Sequence, residues 1–389
     1  MIEMKRAIVH MDLDTFFVSC ERLNNSALEG IPLIIGGGDR GVVASCSYEA
    51  RRFGVRSAMP TAMALKLCPQ AKIIKGDMER YSQLSHTVTE VIQEKAPVME
   101  KASIDEFYLD ITGMDRFYGC YQWTNELANR VVKETGLPIS FALSVNKTVS
   151  KIGTGEGKPK GHLDIPEEQV RSFLNPLSVR KIPMVGEVTF QTLSRVGIRT
   201  IQTLAEMPAE ILQRMIGKTG LEIWKKANGI DHNPVEPYTE RKSITTEHTF
   251  TEDTIDIIQL KMVLCGMVEK LAFQLRKEQW LTSTVVVKIR YANFDTETKQ
   301  CKIGYTSADH LLTEKILGLF TSLYKRRMRL RLVGIRFSGL VRGTYQINMF
   351  EDTQEMLSLY AAMDKMKSRY GFDAVMRCAG AHLKKGIKI

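Results

Sequence analysis

KRAIVHMDLDTFF, residues 5–17, carries a short apolar run into an acid, Asp12, while ASIDEFYLD, residues 102–110, sets Asp105 and Glu106 side by side. Strands are predicted over 5–12, 98–104 and 106–111. In the last of these Phe107, Leu109 and Ile111 alternate with Tyr108 and Asp110, the two-residue period of a strand. Adjacent carboxylates in core-forming sequence are costly unless a positive charge neutralises them. Mg²⁺ does so well, because it takes oxygen ligands, a few carboxylates together with substrate phosphates. If the strands pair, Asp12, Asp105 and Glu106 converge and hold two ions about 4 Å apart, one for each end of an in-line phosphoryl displacement. A single Asp-Glu pair is more often an exposed strand end. Two such places flanked by apolar strands favour the metal.

Outward from these strands, helices are predicted at 79–95 and around 121–135, followed by a second alternating run, Ile139, Phe141, Leu143 and Val145. This is an α+β sheet with helices on one face. Residues 16–75 mix helical patterns with a Gly-rich turn, Gly36–Gly41, and a strand-like VVASC at 42–46. After Pro166 short helices and Gly turns continue to about residue 233. HNPVEPY (232–238) then marks a boundary, since its two prolines and polar residues do not extend a helix. Residues 243–342 read as a second α+β domain, with strands near 284–291 and 332–340 and helices near 255–279 and 308–325. An amphipathic helix at 353–370 has Met356, Leu359, Tyr360, Met363 and Met366 at helical spacing.

Of 389 residues, 44% are apolar and 25% charged, which argues for several globular domains and against a fibre or long disorder. No apolar run approaches the ~20 residues a bilayer needs, and Met1–Asp12 lacks the hydrophobic stretch of a signal peptide. Seven scattered cysteines without a C-x-x-C pair fit reduced thiols in the cytoplasm. The formal net charge of +10 is uneven: acids and bases balance over residues 1–240, whereas 241–342 carries a surplus of eight positive charges. Lys325–Arg342 alone holds seven basic residues and no acid. Such a surplus suits a polyanion, although a solvated basic face gives the same count.

MDLDTFF and SIDE, together with SYEARRFGVRSAMP (47–60), resemble the Y-family translesion DNA polymerases, in particular the DinB, or DNA polymerase IV, group. The likeness covers roughly residues 5–342, with its motifs in the family's order. It implies a right-hand polymerase with palm at 1–17 and 77–166, fingers at 18–76 and thumb at 167–236. A little finger α+β domain at 241–342 and a tail at 343–389 complete it. By the resemblance Asp12, Asp105 and Glu106 are the metal-binding and catalytic carboxylates, joined by the backbone carbonyl of Leu13 and holding two Mg²⁺ ions. Phe16 and Phe17 belong to the nucleotide site, with Phe17 the steric gate beneath the sugar. Tyr48 and Arg51, one helical turn apart, form the triphosphate clamp with Ser45 nearby. Lys158, in GEGKPKG, matches the lysine that binds β- and γ-phosphates. The sequence departs from the family there, with Lys160 where Asn or Asp is usual and Gly153–Thr154 where Ala-Ser is common. Val42 and Ala44 match the small residues over the nascent base pair.

IPMVGEVTFQTLSRVGI (182–198) resembles a helix-hairpin-helix, with Met184 where the first Gly is usual, and 216–231 has similar spacing. Arg241, Lys242 and Arg336 are implied DNA contacts, on segments resembling the first and last strands of the little finger. Gln346, Met349 and Phe350 match the anchors of a peptide that docks on the sliding clamp. The implied substrates are primer-template DNA and dNTPs, used without proofreading by a monomer that has no membrane partner. Two rivals differ in kind: a nucleotidyl cyclase, which needs neither basic block nor thumb, and a non-catalytic DNA-binding scaffold of the same fold.

Overall fold

The strand predicted over 5–12 forms at Ile8–Leu13 (β1), and it is the centre of the larger of two units in a computed structural model. The structure describes residues 5–38, 40–114, 119–237, 240–343 and 354–376, and the chain divides into units 1–239 and 240–389. In the first unit β1 is followed by β2 (Leu33–Ile35), β3 (Ser45–Cys46), β4 (Lys72–Ile74) and β5 (Val98–Lys101). After these come β6 (Glu106–Asp110), β7 (Ile139–Ser144) and β8 (His162–Asp164). Five of them form a sheet in the order β5-β6-β1-β7-β8, and β3-β2-β4 form a small second sheet. β1 is antiparallel to both neighbours, which puts Asp12 opposite Glu106 on one side and opposite Ser140 on the other.

Val9, Met11 and Leu13 face the main core, with Phe107, Leu109 and Phe141 beside them and the helices Met78–Gln93 and Cys120–Thr135 above. The opposite face is covered too, by the helix Lys147–Gly157, which corrects the expectation of helices on one face only. Ser150 Oγ donates to the Ile8 carbonyl at 2.7 Å and Thr154 Oγ1 to the His10 carbonyl at 2.9 Å. Gly153 permits this approach: a Cβ there would lie 2.8 Å from that of Ala142. KTVSKIGTGEG packs through glycine and small hydroxyls rather than an apolar stripe, so its hydrophobic pattern does not announce a buried helix.

The strand expected over 98–104 stops at Lys101. Ser103 Oγ accepts the N–H groups of Asp105 and Glu106 at 3.2 and 3.1 Å, a local turn that competes with the ladder. VVASC contracts to the two residues of β3, with Val42 bridged to Pro60. Residues 170–227 are short helices around Leu174, Val179, Leu193, Ile201, Leu212 and Ile223. Within them Met184 takes φ +83, the left-handed conformation a glycine would favour.

The second unit is a four-stranded antiparallel sheet of β9 (Ser243–Thr254), β10 (Trp280–Tyr291), β11 (Thr296–Thr306) and β12 (Leu330–Arg342), ordered β11-β10-β12-β9. Helices Ile257–Lys277 and Asp309–Leu323 pack on one face. The sequence reading missed β11, an edge strand whose Thr, Glu, Lys and Gln side chains are largely exposed and give no apolar alternation. The tail helix, Gln354–Tyr370, is held differently from its expected stripe. Leu359 and Met366 are exposed, and among those positions Tyr360 is the one that is buried. Ion pairs and a hydrogen bond anchor it: Lys367 Nζ to Glu269 Oε1 at 2.6 Å, Arg276 to Asp364 at 2.6 Å, and His310 Nδ1 to the Tyr360 hydroxyl at 2.7 Å. No helix among the described residues is long and apolar enough to cross a membrane.

Both members of the Lys367–Glu269 pair are buried. Removing one member of such a pair strands the other charge and costs about 3–5 kcal/mol. Lys367→Met should therefore release the tail helix, seen as faster amide exchange across residues 354–370. Unchanged protection in the variant would show that the ion pair does not hold the helix.

Candidate active site

Strand pairing places Asp12 and Glu106 directly opposite each other, and paired residues of antiparallel strands project from the same face. Asp105 precedes Glu106 in the turn, where its backbone carbonyl accepts the Leu13 N–H at 3.0 Å. Ser103 Oγ donates to Asp105 Oδ1 at 2.6 Å. Two lysines from one helix and its exit meet the other acids. Lys151 Nζ lies 2.6 Å from both Glu106 oxygens, and Lys158 Nζ pairs with Asp12 Oδ1. Burial pushes the Asp12 carboxyl up to about 7, against the pull of Lys158 and with a further rise from Asp105 and Glu106. Asp12 thus feels the charge of both other acids, with Lys151 and Lys158 as the positive partners at this end of the sheet.

Beneath them His10 is buried against the Tyr108 ring, 4.7 Å between centroids, and neither ring nitrogen has a hydrogen-bond partner. Burial, with Lys151 and Lys158 nearby, drives its pKa well below the usual range, so the imidazole is neutral. Among the described residues no three His, Cys, Asp or Glu side chains already stand as a ready metal cage. The donor chemistry nevertheless fits a hard divalent cation. The carboxylates supply only oxygen, and the ammonium groups of Lys151 and Lys158 now neutralise two of them.

Tyr48 and Arg51 lie on the helix Tyr48–Arg52, capped by the Ser47 side chain, and the Arg51 guanidinium sits 4.9 Å from the Tyr48 ring centre. The Tyr48 hydroxyl donates to Asp14 Oδ1 at 3.3 Å. Burial first, and Asp14 next, raise the pKa of that phenol, so it keeps its proton. Lys158 follows the helix Lys147–Gly157 rather than sitting in an open Gly/Pro loop, because GEG completes the last helical turn. Lys160 has φ +52, a conformation that Asn and Asp tolerate best among residues with a side chain. Gly161 must be glycine, since a Cβ would overlap the Gly157 carbonyl.

Phe16 is buried in the core. Phe17 is partly buried and stacks on Tyr81, with 4.7 Å between centroids and 15° between planes. Tyr81 is fixed in turn by its hydroxyl, which donates to Glu21 at 2.6 Å. Val42 and Ala44 are exposed and alternate with buried Val43 and Ser45. The sequence reading did not weigh Asp14, Ser103, Ser140 or Lys151. A signal existed for two of them: Asp14 is the second acid of DLD, and Lys151 lies one helical turn beyond Lys147, which itself pairs with Glu100 at 2.7 Å.

In the second unit Arg336 is exposed on the sheet face opposite the helices, lining a shallow groove with Thr245, Lys288 and Gln300. Lys242 is exposed, whereas Arg241 is tied to Glu278 at 2.7 Å. Gln346, Met349 and Phe350 lie outside the described residues.

A model of the impB/mucB/samB family matches residues 11–155, and that family's C-terminal domain matches 241–349. A DNA polymerase IV of Dehalococcoides mccartyi is 35% identical over 375 residues, covering 95% of this chain and 96% of the relative. A DNA polymerase IV of Halorhodospira halophila is 35% identical over 86% of this chain and 95% of its own, and one of Listeria innocua is 35% identical over 87% and 96%. Among solved structures, a Y-family DNA polymerase chimera superposes with a TM-score of 0.76, covering 87% of this chain and 100% of its own at 24% identity. Strand-end acids, the Tyr48 helix and the basic second unit thus sit in a chain that belongs to the impB/mucB/samB family of Y-family DNA polymerases, in its DNA polymerase IV group.

Proposed function

We propose that this chain is a template-directed DNA polymerase of the translesion type, which joins a dNTP to a primer 3′-hydroxyl and releases pyrophosphate. The observation that carries the reading is the register of β1 and β6, which opposes Asp12 and Glu106 at the end of one sheet with Asp105 beside them. Asp12, Asp105, Glu106 and the Leu13 carbonyl would hold two Mg²⁺ ions. When bound, these lower the pKa of the primer hydroxyl and neutralise the triphosphate. Asp12 would serve as a ligand in its ionised form, which is populated increasingly as pH rises through about 7.

The chain's own part is positioning and charge. Lys158 can pass its ammonium from Asp12 to the β- and γ-phosphates. Arg51 offers a planar fork to phosphate oxygens, and the protonated Tyr48 hydroxyl a donor. Ser45 borders the same phosphates. Phe17, braced by Tyr81, forms the floor under the sugar, where a 2′-hydroxyl meets a ring that has no room to yield. Phe16 supports it from the core, and exposed Val42 and Ala44 leave space above the nascent pair. Residues 1–17 with 77–166, 18–76 and 167–236 serve as palm, fingers and thumb, and 241–342 as the DNA-holding little finger. Lys242, Arg336 and Arg241 supply phosphate contacts, Arg241 after release from Glu278. The segment with Gln346, Met349 and Phe350 docks on a sliding clamp, and the enzyme works as a cytoplasmic monomer. A nucleotidyl cyclase would have no use for the basic unit that matches the family's C-terminal domain.

Alanine at Asp12, Asp105 or Glu106 should lower primer extension by about a thousandfold or more while leaving DNA binding nearly intact. Full extension by Asp105→Ala would refute the assignment, and a wild-type chain that binds primed template without extending it would favour the scaffold. Phe17→Ala should raise ribonucleotide incorporation relative to dNTPs by about tenfold or more, measured by single-nucleotide insertion. Unchanged discrimination removes Phe17 from the gate. Arg336→Ala should flatten the log–log salt dependence of DNA affinity by about one unit. A parallel line would place that side chain off the DNA.

A further inference from the structure

Asp14, two residues beyond Asp12, is 1% exposed. Its carboxylate accepts the Lys160 N–H at 2.7 Å, the Ser140 hydroxyl at 3.0 Å to each oxygen, and the Tyr48 hydroxyl at 3.3 Å. Ser140 Oγ in turn accepts the Gly161 N–H at 3.2 Å. Two successive amides of the loop that carries Lys158 are therefore fixed to the end of the strand that carries Asp12. Lys158 reaches Asp12 itself, so the loop is joined to β1 at both ends of the DLD sequence. A buried carboxyl is costly unless hydrogen-bonded, and these donors satisfy it.

We propose that Asp14 is a positioning residue for nucleotide binding: it clamps residues 158–161, with Ser140 as its relay, so that the Lys158 ammonium is presented to the triphosphate. The inference rests on the polymerase reading and concerns a residue that touches neither metal nor nucleotide in it. Lys160 needs the clamp because its φ of +52 is unfavourable for a side chain with a Cβ, and the hydrogen bond from its N–H to a carboxylate compensates. Tyr48 stands differently. Its hydroxyl has one proton to donate, so a phosphate and Asp14 compete for it, whereas the Lys160 and Ser140 bonds persist when nucleotide arrives. The clamp thus stays closed through binding, and its effect falls on how well the triphosphate is held.

The test is a pair of conservative substitutions, each alone and combined with Lys158→Ala. Asp14→Asn keeps shape but removes the charge and leaves one oxygen, instead of two, to accept from the Lys160 N–H and the Ser140 and Tyr48 hydroxyls. It should raise the dNTP KM by about tenfold, the worth of a charge-assisted hydrogen bond, with kcat at saturating dNTP changed less than about threefold and DNA affinity unchanged. Ser140→Ala should move KM the same way by a smaller factor. In the Lys158→Ala background neither substitution should raise KM further, since the loop then has no ammonium to present. An unaltered dNTP KM in Asp14→Asn overturns the proposal. So does a full additional increase on top of Lys158→Ala, which is what a general loss of structure would give. If Asp14→Asn does not fold, the Ser140→Ala and Lys158→Ala cycle decides by the same criterion. A wild-type chain inactive on primed template with all four dNTPs overturns this inference together with the polymerase reading; an active wild type with an unaffected Asp14→Asn overturns this inference alone.

Discussion

Three carboxylates brought to one corner repel one another, and the fold has to supply enough positive charge there to keep them together. Asp12 and Glu106 cannot move apart, because they are partners in a ladder whose other members are buried. Burial raises the proton affinity of Asp12 most, and the like charges of Asp105 and Glu106 add to it. The chain answers with Lys151, paired with Glu106, and Lys158, paired with Asp12, each on a long flexible stem. A rigid, hydrogen-bonded arginine in either place would neutralise the corner as well but would hold the acids shut.

That requirement reaches into the scaffold. For Lys151 and Lys158 to arrive at β1, the helix that ends at Gly157 has to lie almost on the strands. Gly153, Ser150 and Thr154 allow it by presenting no bulk and by bonding directly to β1 carbonyls. His10 occupies the space under the acids as a neutral ring, adding volume without adding charge. The sheet's other face can then be an ordinary apolar core, with Tyr81 shared between that core and the Phe17 ring.

What was legible in the sequence follows from which forces leave a local pattern. β1, β6 and β7 were readable because a strand buried in a sheet shows continuous or alternating apolar residues, and Asp12, Asp105 and Glu106 stood out against them. The Tyr48 helix was readable from its spacing. The helix Lys147–Gly157 was not, because glycine and hydroxyl packing has no hydrophobic period, and its last turn has the composition of a loop. The pairing of Asp14 with Ser140 was not legible for another reason: although Asp14 shows as the second acid of DLD, its partner lies 126 residues away, and nothing near Ser140 hints at the contact. The tail helix shows the converse, where an apparent apolar stripe proved less informative than Lys367 and Asp364 at positions that looked solvated.

The charge surplus of the second unit is also easily overread. Basic residues there divide into those committed within the unit and those available to a partner. Arg276 is held by Asp309 and Asp364, Arg326 by Asp295 and Glu297, and Lys288 by Glu247. Arg331 and Arg342 lie over the rings of Phe294 and Trp280. The positive excess over acids therefore does not count phosphate contacts; it sets a field, and geometry selects which side chains act within it. Arg336 stands out on that criterion, since it is exposed on the face of β12 opposite the helices while its strand neighbours Ile335 and Phe337 anchor the sheet to the helices behind. A side chain fixed at its root by the core and exposed at its tip would lose less conformational freedom on meeting an anion than a loop lysine of equal charge, which is why the sheet face, and not the charge count, singles it out.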